Sequence, residues 1–153
     1  MRSLTRLLTI GALGGGFLLG WFAHAGVADA QTRKPIMMTR IYTGPDGLSR
    51  AEQVPMKMNG GVTDMMKATG AQFSRRPPGP ASDWHTGPRR QFVITLSGRA
   101  ELIVGNGQKV AIGPGNINLI EDTTGKGHIT HNLGPEDRIV VTIPLEDQTT
   151  TSR

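Results

Sequence analysis

Phe92, Ile94 and Leu96 alternate with Val93, Thr95 and Ser97, the two-residue period of a strand whose faces meet different surroundings. Gly98 and Arg99 turn the chain into Ala100 to Val104 (AELIV), and Asn106-Gly107 then marks a hairpin, because tight hairpin loops need residues that tolerate positive φ. Lys109 to Ile112 is the return strand, Gly113-Pro114-Gly115 the next corner, and Asn116 to Ile120 alternates again. Arg138 to Pro144 (RIVVTIP) closes the series. Upstream, Ile36 to Thr43 (IMMTRIYT) runs into the turn Gly44-Pro45-Asp46-Gly47, and Ala51 to Met58 reads as a further strand. Asn59 to Gly70 is the least β-like stretch, and its VTDMMKATG fits one helical turn or a loop. About eight short strands separated by turns, with no amphipathic helix of useful length, predict an all-β domain, a small barrel or sandwich.

The first thirty residues follow a different pattern. Arg2 and Arg6 precede an apolar run from Leu7 to Phe22, and the segment ends in Ala28-Asp29-Ala30, with small residues where a signal peptidase cuts. The run is shorter than the roughly 20 apolar residues of a membrane span and is interrupted by Gly14 to Gly16. It therefore reads as a secretory signal peptide (1–30), with a periplasmic or secreted location expected. The domain is then expected over 31–146, with 147–153 (DQTTTSR) as a disordered tail. A mature chain of this length can bury one core without staples. The absence of cysteine excludes disulfides, thiolate metal sites and thiol nucleophiles.

Charge narrows the partners. Setting aside Arg2, Arg6 and Asp29 lowers the net charge from +5 to +4. The basic residues are scattered apart from the pairs Arg33-Lys34, Arg75-Arg76 and Arg89-Arg90, and aromatics are few, so there is no stacking platform for nucleic acid. A basic rim drawing in a small anionic ligand remains. No period of 20 to 50 residues repeats, and there is no P-loop, G-x-G-x-x-G or G-x-S-x-G.

The chemistry-bearing residues cluster around two histidines. Gly79 is followed after five intervening residues by His85, Gly87 stands two positions beyond it, Gln91 four positions further on, and Gly98 comes after six more intervening residues. A hairpin later come Gly115, Glu121, the loop EDTTGKGH (Glu121 to His128) and Asn132. In this spacing the chain resembles a small single-domain cupin, whose two motifs run G-x5-H-x-H-x3-E-x6-G and G-x5-P-x-G-x2-H-x3-N. The resemblance covers roughly residues 73 to 144. It implies a cupin-type β-barrel, the jelly-roll or double-stranded β-helix arrangement, often paired as a homodimer. It also implies a divalent transition metal (Fe, Mn, Zn, Ni or Cu) held by three histidines and a carboxylate. Carried over residue by residue, His85 and His128 remain, Gly87 replaces the second histidine, and Gln91 replaces the glutamate. The implied metal ligands are thus His85, Gln91 and His128, a weak set because an amide adds no charge. Glu121 or Asp122 is a possible added carboxylate. His131, three residues from His128, would face away, whereas Asn132 would share its side.

Beside these, Trp84 reads either as a packing residue or as a lid over the pocket. Arg89 and Arg90 read either as solvated turn residues or as clamps for an anionic substrate. Met37, Met38, Met56, Met58, Met65 and Met66 fit core and interface filling better than soft-metal binding. Three functions follow: a metal-dependent oxygenase, isomerase or lyase acting on a small oxygenated or anionic substrate; a non-catalytic small-ligand module; or a structural protein with a vestigial pocket. The family resemblance favours the first. Edge strands of a small barrel benefit from cover, and Ile36 to Thr43 is the strand expected to cross to a partner.

Overall fold

The computed structural model describes residues 34–146. The expected signal peptide and tail lie outside the described residues. Within them nine strands follow in order: β1 (Met37–Thr43), β2 (Ser49–Pro55), β3 (Gln72–Arg76), β4 (Gln91–Ser97), β5 (Arg99–Val104), β6 (Lys109–Ile112), β7 (Ile117–Glu121), β8 (His128–Leu133) and β9 (Arg138–Pro144). They form a six-stranded sheet in the order β2-β1-β7-β4-β9-β3 and a three-stranded sheet in the order β6-β5-β8. Only the β1–β7 pairing is parallel. The domain is all-β and of the jelly-roll barrel type, as expected.

Alternation along each strand sorts the side chains between two apolar clusters. Ile41, Val93, Leu102, Val104, Ile120 and Val140, drawn from both sheets, are buried together as the main core. Phe92, Leu119 and Leu145 form a second cluster, joined by Met38, Ile94, Ile117 and Ile143. Phe92 and Val93 are neighbours in sequence yet serve different clusters, which is the period of two at work. Each such side chain contributes about 1.5–3 kcal/mol when fully buried.

The segment after β2 contains no helix. It carries the isolated bridges Asn59↔Val62 and Ala68↔Leu145, and its Met56, Met58 and Met66 line an apolar depression beside Phe92 and Ile143. Met65 lines it too and is almost fully exposed, while Met38 is the methionine packed against the second cluster. The Asn106-Gly107 signal marks the β5–β6 hairpin, but its loop is one residue longer than a two-residue turn. Val104 N–H donates to Gln108 O at 3.0 Å and Gly107 N–H to Val104 O at 2.8 Å. Gly107 has φ of 87°, the left-handed residue that ends a three-residue loop.

One expectation is corrected. β1 is hydrogen-bonded on both sides, by β2 and β7, so it has no free edge to lend to a partner. The sheet edges among the described residues are β2, β3, β6 and β8. β8, absent from the strands expected above, is polar (HITHNL) and has no run of apolar residues to announce it.

Candidate functional site

The segment before β4 folds back against the start of β8 as a two-residue bridge. His85 N–H donates to His128 O at 3.0 Å and His128 N–H to His85 O at 2.8 Å. Gly127 makes this approach possible, since a Cβ there would collide with the carbonyl of His85 and its φ is 71°. The bridge brings the two imidazoles together, with ring centroids 4.5 Å apart and planes tilted by 58°. His85 is exposed and His128 buried, so the pair spans the rim of the barrel.

Each ring is held through Nδ1. His128 Nδ1 lies 2.6 Å from Asp122 Oδ2. His85 Nδ1 lies 2.9 Å from the Asp83 carbonyl and 3.3 Å from Ser82 Oγ, which itself accepts from Thr130 N–H. A carboxylate and a carbonyl can only accept, so in the neutral rings Nδ1 carries the proton and Nε2 the lone pair. Asp122 is fully buried, and its other oxygen, Oδ1, has no hydrogen-bond partner. Its one strong contact is the imidazole it orients, the arrangement by which a carboxylate fixes the tautomer and aim of a histidine base.

Both histidines line a barrel cavity of about 230 Å³, below the roughly 300–1,000 Å³ of pockets for drug-sized ligands. Gln91 and Asn118 line it too, with Val93, Leu102 and Ile120 as apolar wall. His85, Gln91 and His128 are thus brought together as expected. His131 does not line the cavity, and Asn132, on His128's side of β8, accepts from Arg138 Nη1 at 3.2 Å.

The sequence did not single out the two charged side chains of this cavity, Arg76 and Arg138. Arg138 opens β9 and is 2% exposed. Gly98 makes room for it, because a Cβ there would lie 2.6 Å from Arg138 Cα. Its Nε donates to Thr95 Oγ1 at 3.3 Å and its Nη1 to Asn132, both neutral acceptors. Burial, and then the like charge of Arg76, lower its pKa to about 10. It remains a cation near neutral pH, at a cost.

The other residues singled out lie outside the cavity. Arg90 Nε donates to Glu121 Oε1 and Arg40 Nε to Glu121 Oε2, each at 2.6 Å. Arg89 joins them around a separate outer depression. Burial pushes the Glu121 carboxyl up, but the hydrogen bonds from Arg90 and Arg40 outweigh it and leave its pKa lowered. Trp84 does not line the cavity either, and the Lys126 ammonium sits 3.9 Å from its ring centroid.

The donor set does not fit a tightly held divalent cation. The resemblance implies three histidines and a carboxylate, but two imidazoles and the uncharged amides of Gln91 and Asn118, the latter with a buried, unpartnered Oδ1, are what this cavity offers among the described residues. Where the second histidine would stand, a Cβ on Gly87 would collide with Ile120 Cγ2, so the apolar wall has closed over that place. Glu121 is turned outward to its two arginines, and Asp122 sits behind His128 rather than in the lining. No group of three His, Cys, Asp or Glu residues placed to hold a metal occurs among the described residues. Two guanidinium groups in the same cavity add repulsion.

No protein-family model matches the chain, and no curated protein matches it in sequence. Among solved structures the chain is similar to a Cupin 2 conserved barrel domain protein from Salinispora arenicola CNS-205, at 20% identity and a TM-score of 0.41. That match covers 50% of this chain and 62% of the Salinispora protein. It is also similar to a protein of Salmonella typhimurium LT2 described as ethanolamine utilization protein Q, at 14% identity and a TM-score of 0.37, over 73% of this chain and 97% of that one.

Proposed function

We propose that this chain is a small enzyme that moves protons on a small oxygenated substrate in its barrel cavity, with His128 as the base. The observation that carries this reading is the buried His128–Asp122 pair, 2.6 Å apart, on the wall of a cavity of small-molecule size. Asp122 holds Nδ1, leaving Nε2 to take a proton from a carbon next to a substrate carbonyl. The electron pair of the broken C–H bond passes to the carbonyl oxygen, and return of the proton at a neighbouring atom gives an isomer. His85, beside His128 at the rim, is the second group placed to carry a proton. Of the oxygenase, isomerase and lyase chemistries the resemblance implies, this selects those that need no oxidant. The leader-like segment 1–30 supports a periplasmic or secreted place of action, and one of the edge strands β2, β3, β6 or β8 would serve a homodimer.

Proton transfer is tested by incubating the protein in D₂O with small carbonyl compounds and following loss of the C–H signal by NMR. Positioned acid–base groups contribute about 10²–10⁴-fold. His128→Asn is therefore expected to lose at least about a hundredfold of any exchange, and Asp122→Asn a smaller factor. Exchange undiminished in His128→Asn overturns the reading. Elemental analysis of protein purified without chelator checks the donor-set argument. Metal well below one equivalent is expected, whereas one equivalent lost in both His85→Ala and His128→Ala would restore a metal-dependent reaction.

A further inference from the structure

Arg76 and Arg138 face each other directly across the antiparallel β3–β9 pair, and both line the barrel cavity. Like charges placed opposite one another on neighbouring strands repel, and a buried charge ordinarily has a counter-ion. Among the described residues no aspartate or glutamate lines this cavity. The acid next to Arg138 in sequence, Asp137, is engaged elsewhere, accepting from Arg75 Nη1 at 2.7 Å. Thr95 and Asn132 take Nε and Nη1 of Arg138, and among the described residues no acceptor is bonded to Nη2.

The pair also has a definite place along the cavity. Asn132, which holds the Arg138 guanidinium, is four residues beyond His128 on β8, about 13 Å at 3.3 Å per residue. Thr130, between them, lines the cavity too. Two guanidinium groups at one end of the cavity and the imidazoles at its rim suit a ligand with its anionic group at Arg138 and its reacting carbon towards His128. A planar guanidinium with free N–H groups matches a carboxylate.

We propose that Arg138, with Arg76 opposite it, binds the carboxylate of a small organic acid at that end of the barrel cavity. This deepens the proton-transfer reading and rests on it for the chemistry, but binding is measured separately from exchange. Lowering of the Arg138 pKa by burial and by Arg76 agrees with a cation whose counter-ion arrives with the ligand.

The test is calorimetric titration of the full chain with pyruvate, succinate and 2-oxoglutarate, using their neutral methyl esters as controls and inorganic phosphate as a second oxyanion. At least one acid is expected to bind, and its ester is not. Arg138→Met should weaken binding by about tenfold to a hundredfold, the range for losing a charge-assisted contact, with Arg76→Gln falling between it and the unaltered protein. Glu121→Gln, whose side chain lies outside the cavity, should bind the acid within about threefold of the unaltered protein, and His128→Asn should lose exchange. Were Arg138→Met not to fold, Arg76→Gln alone carries the test. Acid binding unchanged in the arginine variants, phosphate bound through Arg138 in place of any acid, or no binding at all would each overturn the carboxylate site. Exchange on a neutral ester that requires His128 would in those cases leave the proton-transfer reading standing. Binding that survives with no exchange on any acid or ester would support the site and sink the chemistry.

Discussion

The chain handles paired arginines in two opposite ways. Outside, Arg40 and Arg90 take the two oxygens of Glu121, and Arg40 also reaches Glu52. Those arginine side chains keep 40% and 37% of their surface exposed, so water shares their charge. Arg76 and Arg138 are also neighbours, yet among the described residues no carboxylate lines their cavity, and Arg138 is almost fully buried while Arg76 is half-buried. The outer cluster is complete without a ligand. Charge is thus neutralised where solvent would have tolerated it and left uncompensated where burial makes it costly. A fold gains nothing by that, whereas a binding site does, because stability given up at a site is commonly the counterpart of its function.

The strongest way to break the contrast is to give the inner pair its own acid. Asn132→Asp nearly preserves shape and turns the acceptor of Arg138 Nη1 into a carboxylate. It also loses the donation from Asn132 Nδ2 to the Pro77 carbonyl at 3.2 Å. Acid binding is expected to fall by about a hundredfold, because the ligand must compete with a tethered anion. Thermal stability of the free protein should rise by about 1 kcal/mol, the gain of a charge-assisted hydrogen bond less the lost neutral one. Titration and a melting curve read the two effects on one sample. Binding unaffected by the new acid would mean that the guanidinium is not where the ligand docks.

The same contrast marks how far the sequence could be read. Turns with glycine, proline and Asn-Gly announced the hairpins, and the spacing of His85, Gln91 and His128 brought out three residues that do share a cavity. Glu121 and Asp122 were indistinguishable as candidate carboxylates. The strand period separates them, sending Glu121 outward to the arginines while Asp122 is buried against His128. Arg138 was invisible because a charged residue opening a strand such as RIVVTIP ordinarily lies in solvent. Only closure of the two sheets, with Gly98 leaving room over its Cα, turns it inward. Arg89 and Arg90, which read as either solvated turn residues or an anion clamp, line the outer depression beside Glu121.

The outer cluster has its own, smaller test. Glu121→Gln keeps the shape and removes the charge shared by Arg40 and Arg90. Those partners are well exposed, so the cost should be about 1 kcal/mol, a few degrees in melting temperature, with acid binding unchanged. The pH dependence has a definite sign. The folded-state pKa of Glu121 is lowered, so its contribution is fully present above the ordinary value of 4.5 and is lost as pH falls through the lowered one. Melting curves of the unaltered protein and Glu121→Gln should therefore converge below pH 4.5 and stay apart above it. Equal separation at all pH values would assign the difference to packing.

The smallest expected effect is the most discriminating one for the inner pair. If Arg138 were a structural strut, removing it would leave Thr95 and Asn132 without their donor and open a hole, which together cost about 3–5 kcal/mol. If it is a cation held in readiness for a ligand, Arg138→Met removes desolvation and the repulsion from Arg76 along with two hydrogen bonds to neutral acceptors. These opposing contributions should nearly cancel, leaving the free protein within about 1 kcal/mol of its original stability. Denaturant unfolding without ligand measures the difference directly. A loss of 3 kcal/mol or more would return Arg138 to the frame of the barrel. A near-zero change, together with lost acid binding, would separate the arginine that holds a ligand from those outside that hold only each other's counter-ion.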